Sequence, residues 1–464
     1  MFVKRFFEPS LAQASYLIGC QQVDEAIVID ANRDVEQYIE AAAQEGLRIT
    51  HVTETHIHAD YVSGSRELAQ RTGASLCLSD EGDSDWKYQF EHSRKLKHGD
   101  RITIGNIRLD VLHTPGHTPE HLTFLITDGA AADKPIAAVT GDFVFVGDVG
   151  RPDLLEKAAN IKGTMEAGAR VLYASLQAFA KHEDWLQIWP GHGAGSACGK
   201  GISAIPASTL GYEKRYNWAF NKKSEAEFVD AVLTGQPEPP KYFAKMKRVN
   251  KEGPAILGGF HIPAKLDAAR LPELIERKAL VIDTRPATEY AAGHLLGTIN
   301  IPFNSSFVTW AGWLVQTDDF YLIVDAATAS ARLEELSRSL ALIGIDRITG
   351  YFDASAAIGR ATIPQITPKE LAPTLTNVTV LDVRSANEWD EGHLAGATHI
   401  PLGYLVDRLG DIPPNKPVVV QCQSGGRSSI AASILERAGF RDVSNLIGGL
   451  SAWTASGLPI EEAA

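Results

Sequence analysis

Two stretches in the second half of the chain, VIDTRPATEYAAGHLLGTINIP at 281–302 and VLDVRSANEWDEGHLAGATHIP at 380–401, share D-x-R, a glutamate, G-H-L, a glycine and I-P in one register. Asp283 and Asp382 stand 99 residues apart, so two copies of one domain follow each other in tandem. Each copy opens on a short helical segment (LPELIERKA; TPKELAPTL), continues into a β-branched strand ending in Asp and Arg, and later has a second strand feeding a helix. That alternation predicts a central parallel sheet with helices on both faces. The first 255 residues differ: short strands, glycine-bounded turns, and histidine-containing loops at strand ends. PEPPKYFAKMKRVNKEGP, 237–254, is rich in Pro and Lys and is read as a linker. The expected domains are therefore 1–255, 256–362 and 363–464.

A chain of 464 residues has room for roughly three domains with cores of their own. A formal net charge of -13 argues against a nucleic-acid partner, which would need clustered Lys and Arg. No apolar run approaches membrane-spanning length, and the start has no apolar segment followed by a small-residue cleavage site. Four scattered cysteines, Cys20, Cys77, Cys198 and Cys422, are too few for a disulfide framework, and the expected location is the cytoplasm. Self-association into a homo-oligomer is left open.

VVVQCQSGGRSSIAASILERAGF, 418–440, reads as a strand, a C-x-x-G-x-R-S loop and an amphipathic helix. A thiol at the end of a buried strand, wrapped by a glycine-rich loop at a helix N-terminus, sits in a field that favours anions. The tandem copies resemble rhodanese domains. The resemblance implies that Cys422 is a nucleophile carrying sulfane sulfur, with Arg427, Ser428 and the loop amides holding the anion. The first copy departs from the pattern. Its matching strand, YLIVDAATASARLEELSRSL, places Asp325 where Cys422 falls, without the glycines and the arginine, so this copy is expected to be inactive in sulfur transfer. It would pack and orient its neighbours, or turn its lost loop into a binding surface. Asp283, Arg285, His294, Asp382, Arg384 and His393 recur in both copies, which points to ion pairs fixing a turn.

In the first domain, LRITHVTETHIHADYVSGSRELAQRTG reads as a strand, a loop bearing His56, His58 and Asp60, and a helix from about Val62 to Arg71 stopped by Gly73. TPGHT places His117 in a turn, TGDFVFVGDVGRPD places Asp142 just after a strand, and WPGHG does the same for His192. Ligands on loops at strand ends of a rigid sandwich are a common way to build a metal site. This order resembles the metallo-β-lactamase superfamily, an αββα sandwich, and within it the persulfide dioxygenases. The resemblance implies one Fe(II) per chain held by His56, His117 and Asp142, with His58, Asp60 and His192 around it. In the dinuclear hydrolases of the superfamily His58 and His192 are ligands too. Tyr61 stands where those hydrolases have a third motif histidine, and tyrosine, with a pKa of about 10, is a poor ligand at neutral pH. A second zinc is thereby handicapped, and a single iron loses nothing; the alternative is that Tyr61 is a packing residue at the start of its helix.

Cys198, six residues after His192, is a candidate sulfur-handling thiol or a small residue in a tight loop. Arg151 either meets an anionic substrate or pairs with Asp153 or Asp148. The reading that follows is an iron persulfide dioxygenase, an inactive rhodanese and an active rhodanese in one chain, taking a small thiol persulfide and O2 and making or using sulfite and thiosulfate. A zinc thioester hydrolase resembling glyoxalase II, and a sulfur carrier with a degenerate first domain, are the alternatives.

Overall fold

The structure, a computed structural model, describes residues 1–154, 156, 163–317, 319–359, 361–413 and 415–461. They form two compact units. One comprises Met1–Gly259 with Ala341–Gly344, the other Phe260–Leu340 with Ile345–Ala464.

The first unit is built on two six-stranded sheets. Alternation within strands shows how they are layered, because successive side chains of a strand point to opposite faces. In Gln13–Cys20 every residue is buried. Ala14, Tyr16, Ile18 and Cys20 join a core that also takes Ile102, Leu109, Val111, Phe124 and Val139 from the other sheet. Leu17, from the opposite face, joins Tyr38 and Leu68 of two outer helices, Glu36–Gln44 and Ser65–Thr72. The second sheet repeats the scheme: Ala137 and Val139 face inward, while Ala138 packs with Leu172 and Phe228 of helices Thr164–Phe179 and Glu225–Leu233. Helix, sheet, sheet, helix is the resulting order.

The helix after the THIHAD loop runs Ser65–Thr72 and ends on Gly73, whose φ of 71° is the left-handed region that glycine enters without strain. It begins three residues later than the sequence suggests. The segment read as a linker contains a helix, Tyr242–Glu252, with Phe243, Met246 and Asn250 buried. Positions 243, 246 and 250 lie on one helical face, and that face is covered. Asn250 Nδ2 donates to the carbonyls of His58 and Tyr61, both at 2.7 Å, and its Oδ1 accepts from the Ser63 amide.

In the second unit each repeat has its own sheet, of four and five strands, and all their pairings are parallel. The shared D-x-R forms the ion pairs expected of it: Arg285 grips Asp283 and Arg384 grips Asp382, with shortest contacts of 2.6 and 2.7 Å. His294 of the first copy meets Glu436 of the second at 2.9 Å, and the Asn300 amide donates to Ser433 Oγ. Among the described residues, no helix is long and apolar enough to cross a membrane.

Candidate functional site

Strand ends converge on one buried cluster. Strand Arg48–Thr53 leads into the loop bearing His56, His58 and Asp60; strand Ala137–Gly141 ends at Asp142; strand Gln187–Pro190 leads to His192. The Leu122 amide donates to the Thr55 carbonyl and the Gly191 amide to the Gly141 carbonyl, which ties these loops edge to edge. Gly141 takes a φ of 49°, and a Cβ there would press on the Thr55 side chain, so the close approach requires glycine.

His56, His117 and Asp142 are 1%, 2% and 0% exposed, and each places one ligand atom within 4.8 Å of the others. His117 Nε2 lies 3.6 Å and His56 Nε2 4.0 Å from Asp142 Oδ2. Donors about 2.1 Å from a shared ion stand about 3 to 4 Å apart, so the spacing suits a cation. The protons point the same way. His117 Nδ1 donates to the Arg151 carbonyl. His56 Nδ1 meets Thr55 Oγ1, whose own hydrogen goes to Asp30 Oδ2. Each Nδ1 thus keeps the ring proton, and each Nε2 turns a lone pair toward Asp142, whose two carboxylate oxygens are buried without a hydrogen-bond partner among the described residues. Lone pairs facing a buried carboxylate repel unless a cation stands between them. Burial also pushes both rings below the usual histidine range, toward the neutral form that ligates metal.

Around this triad the other sequence candidates divide. His58 Nε2 turns to Asp30 Oδ1 at 3.1 Å; burial works against the charged ring, but the Asp30 charge and hydrogen bond raise its pKa to about 9. Tyr61 is buried, donates to the Asp30 carbonyl at 3.3 Å and packs its ring on His58. Asp60, His192 and Cys198 make a second buried group with atoms within 4.8 Å of one another. His192 Nδ1 donates to the Ala12 carbonyl, leaving Nε2 3.2 Å from Asp60 and 3.5 Å from Asp142. Burial, ahead of the neighbouring Asp142 and Asp60 carboxylates, holds the Cys198 thiol well above the usual cysteine range.

Arg151 is fully buried and grips Asp153 through Nε at 2.7 Å and a terminal nitrogen at 2.6 Å, its other terminal nitrogen going to the Ala197 carbonyl. Of the two alternatives for Arg151, the ion pair with Asp153 is the one that forms. Its backbone receives His117 Nδ1–H and donates to the Cys198 carbonyl, so this residue positions both. Arg151→Met is expected to lower unfolding stability by about 3–5 kcal/mol, because the buried Asp153 carboxylate would lose the guanidinium that grips it through two nitrogens. Denaturant unfolding reads this, and Arg151→Met with Asp153→Leu should recover most of the loss.

Two residues without a sequence signal of their own complete the arrangement. His121 Nε2 accepts the Asp142 amide at 3.2 Å, and Asp30 receives the amide and hydroxyl of Thr55. Only their places beside motif positions, in TPGHTPEH and VIDAN, could have marked them.

In the second unit Cys422 follows strand Val418–Gln421 and precedes helix Gly426–Arg437. Its Sγ is buried, receives the Gly425 amide at 3.1 Å and lies 3.4 Å from Ser428 Oγ. Among the described residues, the side-chain hydrogen bonds of Arg427 go to Glu388 rather than to this sulfur, although the two charges still act on each other. Both terminal nitrogens of Arg427 bond Glu388, each at 2.6 Å, and Glu388 also caps helix Ala386–Asp390 through Ser385. Burial alone would raise the Glu388 pKa, but Arg427 and then Ser385 outweigh it and bring it to about 2. A depressed carboxylate stabilises the fold fully above its unfolded value, and that contribution is lost as pH falls through the folded one. The thermal-stability advantage of wild type over Glu388→Gln should therefore be complete above about pH 4.5 and absent below about pH 2.

Residues 10–192 match the family model of the metallo-beta-lactamase superfamily, and residues 267–349 and 367–456 match that of the rhodanese-like domain. The crystal structure of a metallo-beta-lactamase from Staphylococcus aureus subsp. aureus COL is 44% identical, with a TM-score of 0.68, over 76% of this chain and 98% of that one. The mitochondrial persulfide dioxygenase ETHE1 of Bos taurus is 29% identical over 163 residues, 34% of this chain and 59% of its own length. The hydroxyacylglutathione hydrolase of Rhodospirillum rubrum is 28% identical over 246 residues, 50% of this chain and 91% of its own. The chain spans about 60% of the length of the first curated relatives it matches. A metal-ready triad at strand ends and a cradled thiol behind a repeated α/β sheet agree with those matches: this chain belongs to the metallo-beta-lactamase superfamily and carries two rhodanese-like domains after its first domain.

Proposed function

We propose that the chain is an iron(II)-dependent persulfide dioxygenase coupled to sulfur transfer at Cys422, in a reducing compartment such as the cytoplasm, with domains divided near residues 255 and 362. The observation that carries this reading is the triad of His56, His117 and Asp142 beside a Tyr61 that is turned away to the Asp30 carbonyl. Two imidazoles and one carboxylate leave open positions, the donor set suited to oxygen chemistry at non-haem iron. Iron bound there would supply oxygen activation at the terminal sulfur of a persulfide. The protein's part is to hold three neutral or anionic donors in fixed orientation through Thr55, the Arg151 carbonyl and His121, and to keep them from bulk water. The overall conversion, persulfide RSSH plus O2 plus water to thiol RSH plus sulfite plus two protons, balances with no further oxidant.

At the second site, the Cys422 thiolate attacks the outer sulfur of another persulfide RSSH, the S–S bond breaks and the thiol RSH leaves, so that Cys422 carries the outer sulfur as a persulfide. Sulfite attacks that sulfur, the S–S bond breaks, the electron pair returns to Cys422 Sγ and thiosulfate leaves; the Gly425 amide and Ser428 hydroxyl hold the sulfur anion. The reverse flow uses the same groups.

Metal analysis with an oxygen electrode tests the first half. The expected result is about one iron per chain and oxygen uptake on addition of a thiol persulfide. Two tightly held zincs, with thioester cleavage and no oxygen uptake, would sink it. One observation favours that second reading, a glyoxalase II-like hydrolase: Asp60, His192 and Cys198 could hold another cation next to the triad.

A further inference from the structure

The repeats of the second unit share a cavity of about 870 Å³, lined from the first copy by Glu289, Phe303, Trp310, Asp325 and Arg332 and from the second by the rim of the Cys422 loop, including Arg427. Thiosulfate or sulfite would fill a small part of it; the volume suits a ligand of drug-like size.

The charges facing this cavity are unequal in their commitments. Three arginines line it. Arg427 is spent on Glu388 and Arg285 on Asp283, both through two nitrogens. Arg332 places its guanidinium carbon 4.8 Å from the centre of the Phe303 ring, and its carboxylate neighbour, Glu335, is 3.7 Å away through one contact on a half-exposed surface, which binds weakly. The acids follow from the history of the repeat. Glu289 occupies the register position of Glu388, but the first copy has no loop arginine to pair with it, and among the described residues its side chain makes no ion pair or hydrogen bond. Asp325 stands directly after strand Phe320–Val324, as Cys422 stands after Val418–Gln421. The two equivalent strand-end loops thus line one space, the second copy's through Ser424, Gly426 and Arg427 beside Cys422 and the first copy's through Asp325, with Glu289 joining from helix Ala287–Ala292.

We propose that the degenerate copy is the recognition wall of the Cys422 site, and that the cavity takes a zwitterionic, amino-acid-derived thiol or its persulfide: Arg332 binds a carboxylate, Glu289 and Asp325 an ammonium group, and Trp310 covers the stem. This rests on sulfur transfer at Cys422 and names its substrate class. A polyphosphate-bearing thiol such as coenzyme A is disfavoured, because Glu289 and Asp325 repel it and one guanidinium cannot compensate.

Calorimetric titration of the full chain with glutathione, cysteine and coenzyme A, beside thiosulfate-to-cyanide sulfur transfer, tests the assignment. Glutathione should bind more tightly than coenzyme A. Arg332→Ala should weaken glutathione about ten- to a hundredfold, the effect of losing a charge-assisted hydrogen bond, and raise KM for glutathione persulfide with kcat held. Arg332→Lys should recover part of the loss. Glu289→Gln, an exposed change that folding tolerates, should weaken glutathione and narrow its margin over coenzyme A. Coenzyme A binding as tightly as glutathione, or Arg332→Ala and Glu289→Gln both binding glutathione like wild type, overturns the assignment. Absence of any sulfur transfer from thiosulfate in wild type would instead overturn the role of Cys422 itself.

Discussion

Cys422→Ser should turn the main product from thiosulfate into sulfite, at unchanged oxygen uptake, and remove sulfur transfer altogether. The serine hydroxyl keeps the size of the side chain and its place against the Gly425 amide, so the loop should survive. What disappears is a polarizable atom able to take up sulfane sulfur and to leave again as a thiolate. Losing the nucleophile of a covalent mechanism commonly costs a factor of about a thousand or more in rate. On the proposed reading, sulfite released at the first domain would then find no charged acceptor in its own chain, and the advantage of tethering would be lost. Product analysis by thiol labelling and chromatography decides: equal sulfite-to-thiosulfate ratios in wild type and variant would show that the two chemistries run independently.

His117→Ala should abolish both bound metal and oxygen uptake while leaving thiosulfate-to-cyanide transfer intact. The triad has three donors, and removing His117 leaves only His56 and Asp142 of it. Changes to a ligand's hydrogen-bonded supports already cost about ten- to a hundredfold in metal affinity, so loss of the ligand itself should empty the site. Elemental analysis and an oxygen electrode read the two losses separately. Retention of stoichiometric iron would mean that His192 or His58 belongs to the ligand set.

The layered architecture was legible because it depends on pattern. Periodic burial, strand-end histidines and a repeat in register survive in a single sequence, and the THIHAD, TPGHT and TGD segments do meet in one cluster. What could not be read depends on which of several reachable partners a side chain chooses. Arg427 lies in the loop motif, yet its hydrogen bonds go to Glu388, thirty-nine residues earlier in sequence. The short-range pairing of Arg151 was foreseeable only as one option among two. The segment 237–254 looked like a linker because Pro and Lys dominate its composition, but three spaced residues, Phe243, Met246 and Asn250, were enough to bury a helix face. The cavity between the repeats was foreshadowed only as a lost loop that could become a binding surface; its lining was out of reach, since it joins residues of both copies.

Strand Gln13–Cys20, covered on both faces, also bears on how the first unit breathes. Its amides pair with two neighbours, Phe2–Glu8 and Glu25–Ile29, and the carbonyl of Ala12 just before it receives His192 Nδ1–H. Hydrogen–deuterium exchange along such a strand requires opening of the whole sandwich rather than local fraying. His192 is therefore moored to a stretch buried and paired on both sides, which should exchange slowly, while the Gly150–Asp153 turn that orients His117 is irregular backbone. If metal is stripped from the triad, deuterium should enter around residue 117 long before it enters around residue 16, and the cluster would loosen from the His117 side first.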